Sequence, residues 1–84
     1  MYEIVLTRAA RRDLAALPKS VFKRADGKIR SLAHHPLPPG SKKLQGDLFR
    51  IRVGDYRIVY QIESDQIVIV IVRVRHRREV YRGL

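Results

Sequence analysis

The stretch Leu48-Phe49-Arg50-Ile51-Arg52-Val53-Gly54-Asp55-Tyr56-Arg57-Ile58-Val59-Tyr60-Gln61 decides the fold. It reads as two strands joined by Gly54-Asp55, a pair that suits a two-residue hairpin turn with glycine at the first central position. Pairing outward from the turn sets Val53 against Tyr56, Arg52 against Arg57, Ile51 against Ile58, Arg50 against Val59 and Phe49 against Tyr60. Opposed residues share a face, and side chains alternate with period two. Phe49, Ile51, Val53, Tyr56, Ile58 and Tyr60 therefore form an apolar face. Arg50, Arg52 and Arg57 gather on the other. Like charges set directly opposite cost about 0.2–1 kcal/mol per pair. A polyanion lying on that face is the simplest compensation; a solvated outer face is the plain alternative.

Composition supports the anionic partner. The 84 residues make one domain, 1–84, with 18 Lys and Arg against 8 Asp and Glu, a formal charge of +10. So basic a small body points to nucleic acid, a ribosome, an anionic membrane or an acidic protein. Most of the basic residues are arginine, whose planar fork matches phosphate. With no cysteine there is no disulfide framework, thiolate nucleophile or Cys-based zinc site. The longest apolar run, Ile67 to Val72, is far too short to cross a bilayer. A cytoplasmic protein without a membrane anchor is expected.

Outward from the hairpin, Tyr2 to Leu6 reads as a short strand, and Thr7 can cap a helix running through Ala9 to Leu17. Pro18 ends that helix. A second helix begins near Ser20, with Phe22, Ala25, Ile29, Leu32 and Ala33 on one face, and Pro36 stops it after His34-His35. Leu37 to Ser41 is a stiff connector, and Lys42 to Asp47 leads into the hairpin. Ser64-Asp65 turns the chain into a last strand, Gln66 to Val74, whose Ile and Val on both parities place it inside the sheet. The order β-α-α-β-β-β predicts an α+β fold: a two-helix hairpin packed on one face of a mostly antiparallel four-stranded sheet.

Beyond the sheet cluster, the tail from Arg75 to Leu84 carries four arginines with His76, Glu79 and Tyr81. Guanidinium for phosphate and a ring for a base suit RNA, and a disordered basic tail is the competing reading. His34 and His35 point in different directions from a helix end, with no third ligand at metal spacing, so no metal and no cofactor are expected.

Three blocks carry a resemblance. Lys42-Lys43-Leu44-Gln45-Gly46, Phe49 through Tyr60, and His76-Arg77-Arg78-Glu79-Val80-Tyr81-Arg82 together resemble the RelE branch of the RelE/ParE toxin superfamily. Thr7 through Leu14, with Leu17-Pro18, is similar to the same family's first helix. The resemblance implies a toxin of a type II toxin–antitoxin pair, a RelE-type mRNA interferase. Such a toxin enters the ribosomal A site and cuts mRNA by attack of a ribose 2′-OH on the adjacent phosphate. It also implies an acidic cognate antitoxin. Carried over by position, Arg50, Arg52 and Arg57 match the catalytic sheet cluster and Tyr81 the C-terminal tyrosine. A tail arginine matches either Arg75 or Arg77. Lys42, Lys43, Arg75 and Arg78 are expected to grip RNA. Well-known members carry lysine where Arg50 and Arg52 stand. Arginine stays protonated, with a pKa above ~12, so these two stabilise charge and cannot act as bases. Base and acid work falls to Tyr81 or His76. A ParE-like inhibitor of DNA gyrase without nuclease chemistry, and a non-enzymatic nucleic-acid-binding module, are the rival readings.

Overall fold

The computed structural model describes residues 1–80. The elements are β1 (Glu3–Leu6), α1 (Arg8–Ala15), α2 (Lys19–Leu32), β2 (Lys42–Gln45), β3 (Leu48–Val53), β4 (Tyr56–Glu63), β5 (Val68–His76) and α3 (Arg77–Val80). The sheet order is β1-β5-β4-β3-β2. The class is α+β as expected, but the sheet has five strands where four were predicted. The addition is β2, which pairs antiparallel with β3. Only Leu44 among its four residues is apolar, so no alternation marks it, and its two exposed lysines guard the sheet edge against further pairing.

The β3–β4 register is the one derived from the turn, from Val53 opposite Tyr56 to Phe49 opposite Tyr60. Gly54 sits at φ +59°, the left-handed conformation required at that turn position. A Cβ on it would also stand 3.4 Å from the guanidinium of Arg24 on α2. Tyr56, Ile58, Tyr60 and Ile62 of β4 face the helices. Ile58, Tyr60 and Ile62 meet Ile51, Val53, Ile69, Ile71 and Val74 in one core, closed by Ala10 and Leu14 of α1 and Ala25, Ile29 and Leu32 of α2. Burial of each large aliphatic side chain contributes about 1.5–3 kcal/mol. Phe22, expected in this core, is 40% exposed. Val21 packs there instead, because the 21, 25, 29, 32 stripe follows the helix period with less drift. Helix α2 ends at Leu32, earlier than Pro36, and the N–H groups of His34 and His35 turn back to the Ser31 carbonyl. Both histidines are exposed.

Strand β5 lies inside the sheet, as its apolar run implied. It pairs parallel with β1 and antiparallel with β4. Strand β1 covers it only as far as Ile71, and α1 takes over from there. The Thr7 N–H donates to the Ile71 carbonyl at 3.1 Å. The Thr7 hydroxyl donates to the Val72 carbonyl at 2.8 Å and accepts from the Ala10 N–H at 3.0 Å, so one side chain caps the helix and holds the strand edge. Among the described residues no helix is long and apolar enough to cross a membrane.

Candidate nucleic-acid interface on the arginine face

The face of the sheet away from the helices carries two rows of cations. Residues set directly opposite across adjacent strands have Cβ atoms about 4.5–5.5 Å apart. Register places Arg52, Arg57 and Arg75 side by side on β3, β4 and β5. A second row runs Lys42, Arg50, Val59, Arg73 across β2, β3, β4 and β5. This face is not an open, solvated surface. Arg57 is 5% exposed and Arg50 9%, and Val59 between them is fully buried.

Arg57 is the centre of the arrangement. Among the described residues its buried Nε has no hydrogen-bond partner, and one terminal nitrogen makes a long contact, 3.4 Å, to its neighbour's carbonyl at Tyr56. A buried donor without an acceptor costs about 1–3 kcal/mol, more when charged. The only acidic residue on β4 is Glu63, six positions from Arg57 and so about 20 Å along the strand at the usual rise. Its carboxylate accepts from Gln61 at 2.6 Å. A desolvated guanidinium, flanked by two more and remote from that carboxylate, is built to receive an anion.

Arg73 is treated differently. Its Nε and a terminal nitrogen donate to the two carboxylate oxygens of Asp13 on α1, at 2.8 and 3.1 Å. The same carboxylate accepts the Val74 N–H at 2.9 Å. Asp13 thus draws one guanidinium around the edge of β5. Neither Asp13 nor Arg73 is marked out by the sequence, since they lie 60 positions apart and the contact depends on the fold.

The remaining expected site residues divide. Lys42 stands opposite Arg50 and joins the arginine face, whereas Lys43 stands opposite Phe49 and takes the parity of the helix side. Arg75 is brought beside Arg57, and Arg77 is not: it is the first residue of α3, where its N–H donates to the Asp55 carbonyl at 2.7 Å. Arg78 follows it, exposed. His76, expected among the catalytic residues, takes the opposite face. It pairs with Tyr56, ring against ring at 5.4 Å and 82°, beside Leu17 in a cavity of about 210 Å³. Its Nδ1 accepts the Arg78 N–H at 3.3 Å. Alternation along β5 is the reason, since side chains of neighbours on a strand leave the backbone on opposite faces. Tyr81 and the side chains of Glu79 and Val80 lie outside the described residues. Tyr60, expected in the core, is there: burial pushes its hydroxyl up to about 12, against a smaller opposing effect of Ser41, and it donates to the Pro36 carbonyl at 2.7 Å.

The helical hairpin on a five-stranded sheet is a fold found among toxins of toxin–antitoxin pairs. The fold matches a chain of the toxin–antitoxin complex RelBE2 from Mycobacterium tuberculosis with a TM-score of 0.79 at 33% identity, covering 89% of this chain and 96% of that one. It matches the isolated Escherichia coli RelE toxin with a TM-score of 0.81 at 20% identity over 90% of this chain and 84% of that one, a likeness of fold alone. In sequence the chain is 36% identical over 85 residues to Toxin RelG of Mycobacterium tuberculosis, covering 96% of this chain and 97% of that protein. Residues 4–81 match the family described as ParE toxin of type II toxin-antitoxin system, parDE. The chain belongs to that family, and is a RelE/ParE-type toxin of a type II toxin–antitoxin system.

Proposed function

We propose that this toxin is a ribosome-dependent mRNA endonuclease of the RelE type, held inactive by an acidic antitoxin. The observation that carries the reading is Arg57: buried, with its Nε unpartnered among the described residues, between Arg52 and Arg75. In the reaction a ribose 2′-oxygen attacks the adjacent phosphorus while the bond to the 5′-oxygen breaks. The products are a 2′,3′-cyclic phosphate and a 5′-hydroxyl. Negative charge builds on the non-bridging oxygens of the five-coordinate phosphorus. Preorganised donors aimed at that charge in a site with little water are worth far more than they would be in solution. Arg57 supplies the desolvated donor, Arg52 and Arg75 clamp from the neighbouring strands, and Arg50 with Lys42 holds the adjoining phosphate. Of the two tail arginines, register favours Arg75.

Arginine cannot take the proton from the 2′-OH at neutral pH. That work, and the return of a proton to the departing 5′-oxygen, is assigned to Tyr81 and not to His76, which the register turns to the helix side. A pH–rate profile altered by Tyr81→Phe and unaltered by His76→Ala is the expected result; the reverse pattern would exchange their roles. The antitoxin follows from charge. With +10 on the toxin, an acidic segment laid over the arginine face neutralises it, and added salt weakens the complex. Relatives solved with antitoxins, RelBE2 among them, support a partner of this kind.

A second reading has its own support, because the matching family carries the ParE name. A ParE-like protein would inhibit DNA gyrase and cleave nothing. Two assays separate the readings. In cell-free translation the toxin cuts mRNA only while that mRNA is being translated, and gyrase supercoiling in its presence is unimpaired. Inhibited supercoiling with intact mRNA would reverse the assignment.

A further inference from the structure

We propose that Asp13 of α1 is a positioning residue that locks the strand register on which the arginine row depends. The observation is a β-bulge. Between β4 and β5 the pairing shifts, so that Tyr60 faces Ile71 while Val59 faces Arg73. Val72 is the extra residue. Counting on from Tyr60–Ile71 without that insertion would set Arg57 against Val74 and Ile58 against Arg73. A one-residue slip moves every later side chain to the other face. Arg73 and Arg75 would enter the core, and Val74 would take the place of a guanidinium beside Arg57. The extra residue therefore turns a buried apolar strand into one that delivers Arg75 to the site and Val74 to the core.

Helix α1 grips the bulge from both sides. Before it, the Thr7 N–H and hydroxyl bond the carbonyls of Ile71 and Val72. After it, one Asp13 oxygen accepts both the Val74 N–H and the Arg73 Nε, and the other accepts from the Arg73 terminal nitrogen. The Asp13 side chain is 13% exposed and that of Arg73 36%, so the carboxylate end of these charge-assisted bonds is largely shielded from water. The carboxylate serves two ends at once. It satisfies an edge N–H that β1 no longer covers, and it engages the Arg73 guanidinium on the next residue back.

The register claim stands on the pairing alone; its catalytic consequence rests on the function proposed above. The experiment measures the two separately in the full-length toxin. Cross-strand proton contacts read by NMR identify whether Arg57 lies opposite Arg75 or Val74, and cell-free translation reads mRNA cleavage. Asp13→Ala is expected to weaken or lose the Arg57–Arg75 contacts and to lower cleavage about a hundredfold, the usual penalty of misplacing a group by an ångström. Asp13→Asn keeps an acceptor for the Val74 N–H and is expected to restore the register and most of the cleavage. Arg73→Gln, which leaves Asp13 in place, tests the same clamp from its other side should Asp13→Ala fail to fold. It is expected to retain the Arg57–Arg75 pairing. Asp13→Ala with unchanged contacts and unchanged cleavage would overturn the proposal, as would an Asp13→Asn no better than alanine. A wild-type toxin that cleaves no mRNA, with the register still lost in Asp13→Ala, would sink the nuclease reading and leave the lock standing.

Discussion

The two faces of the β3–β4 hairpin are built by one stretch of chain, and they treat burial in opposite ways. On the helix side, Ile51, Val53, Ile58 and Tyr60 are packed, and the buried Tyr60 hydroxyl has an acceptor. On the other side Arg57 is also hidden from water, yet its Nε has no acceptor among the described residues. Removing apolar surface from water stabilises the fold; hiding a charge without a partner opposes it. The same strand therefore holds its stability on one side and an unmet electrostatic demand on the other. That demand is the physical signature of a site, because natural sequences break local rules chiefly where function requires it.

Substitutions on each side sharpen the contrast. The largest stability effect is expected from Ile58→Ala, which leaves a cavity at the centre of the core and should lower unfolding free energy by about 2–5 kcal/mol in denaturant titration. Cleavage by the folded fraction should be little changed. Arg57→Ala should do the reverse. It should reduce cleavage about 10²–10³-fold, the cost of losing one preorganised donor, while Arg57→Met leaves stability equal or raised, since replacing a buried charge by an apolar side chain is often neutral or favourable. An Arg57→Met protein that is clearly less stable than wild type would show that the guanidinium has a structural partner, and the contrast between the faces would collapse.

Tyr60→Phe gives a smaller effect with a distinct pH signature. It loses one hydrogen bond, about 1 kcal/mol. The folded state holds the phenolic proton more tightly than the unfolded chain, whose tyrosine titrates near 10.0, so this contribution is complete below pH 10 and is lost as pH rises towards about 12. Melting temperature across that window should fall more steeply for wild type than for Tyr60→Phe. Gly27→Ala lies on neither face. A Cβ there meets nothing within 4 Å, so the substitution should raise stability by up to about 1 kcal/mol and leave cleavage unchanged.

The register of the hairpin was legible in the sequence because a turn that demands glycine fixes the count, and period two then assigns every side chain. The helical stripes through Ala10 and Leu14, and through Ala25, Ile29 and Leu32, were legible for the same reason at their own period. Strand β2 was not, since Lys42-Lys43-Leu44-Gln45 carries no alternation and becomes a strand only because β3 offers an edge. The face taken by His76 was hidden too. It depends on the extra residue at Val72, and the groups that hold that residue, Thr7 and Asp13, are drawn from the other end of the sequence. Of the site, the sequence exposed the three arginines on the hairpin; it could not say that Arg75 stands opposite Arg57, or that Asp13 binds the Arg73 guanidinium.

The parallel pairing of β1 with β5 has a consequence for synthesis. Strand β5 is the last described strand to be translated, yet it fills the space between β1, made first, and β4. Until it emerges, β1 has no partner in the sheet, α1 lacks the strand it packs against most, and Arg57 has no Arg75 beside it. A chain whose synthesis has not reached β5 therefore has neither the continuous sheet nor Arg75 beside Arg57.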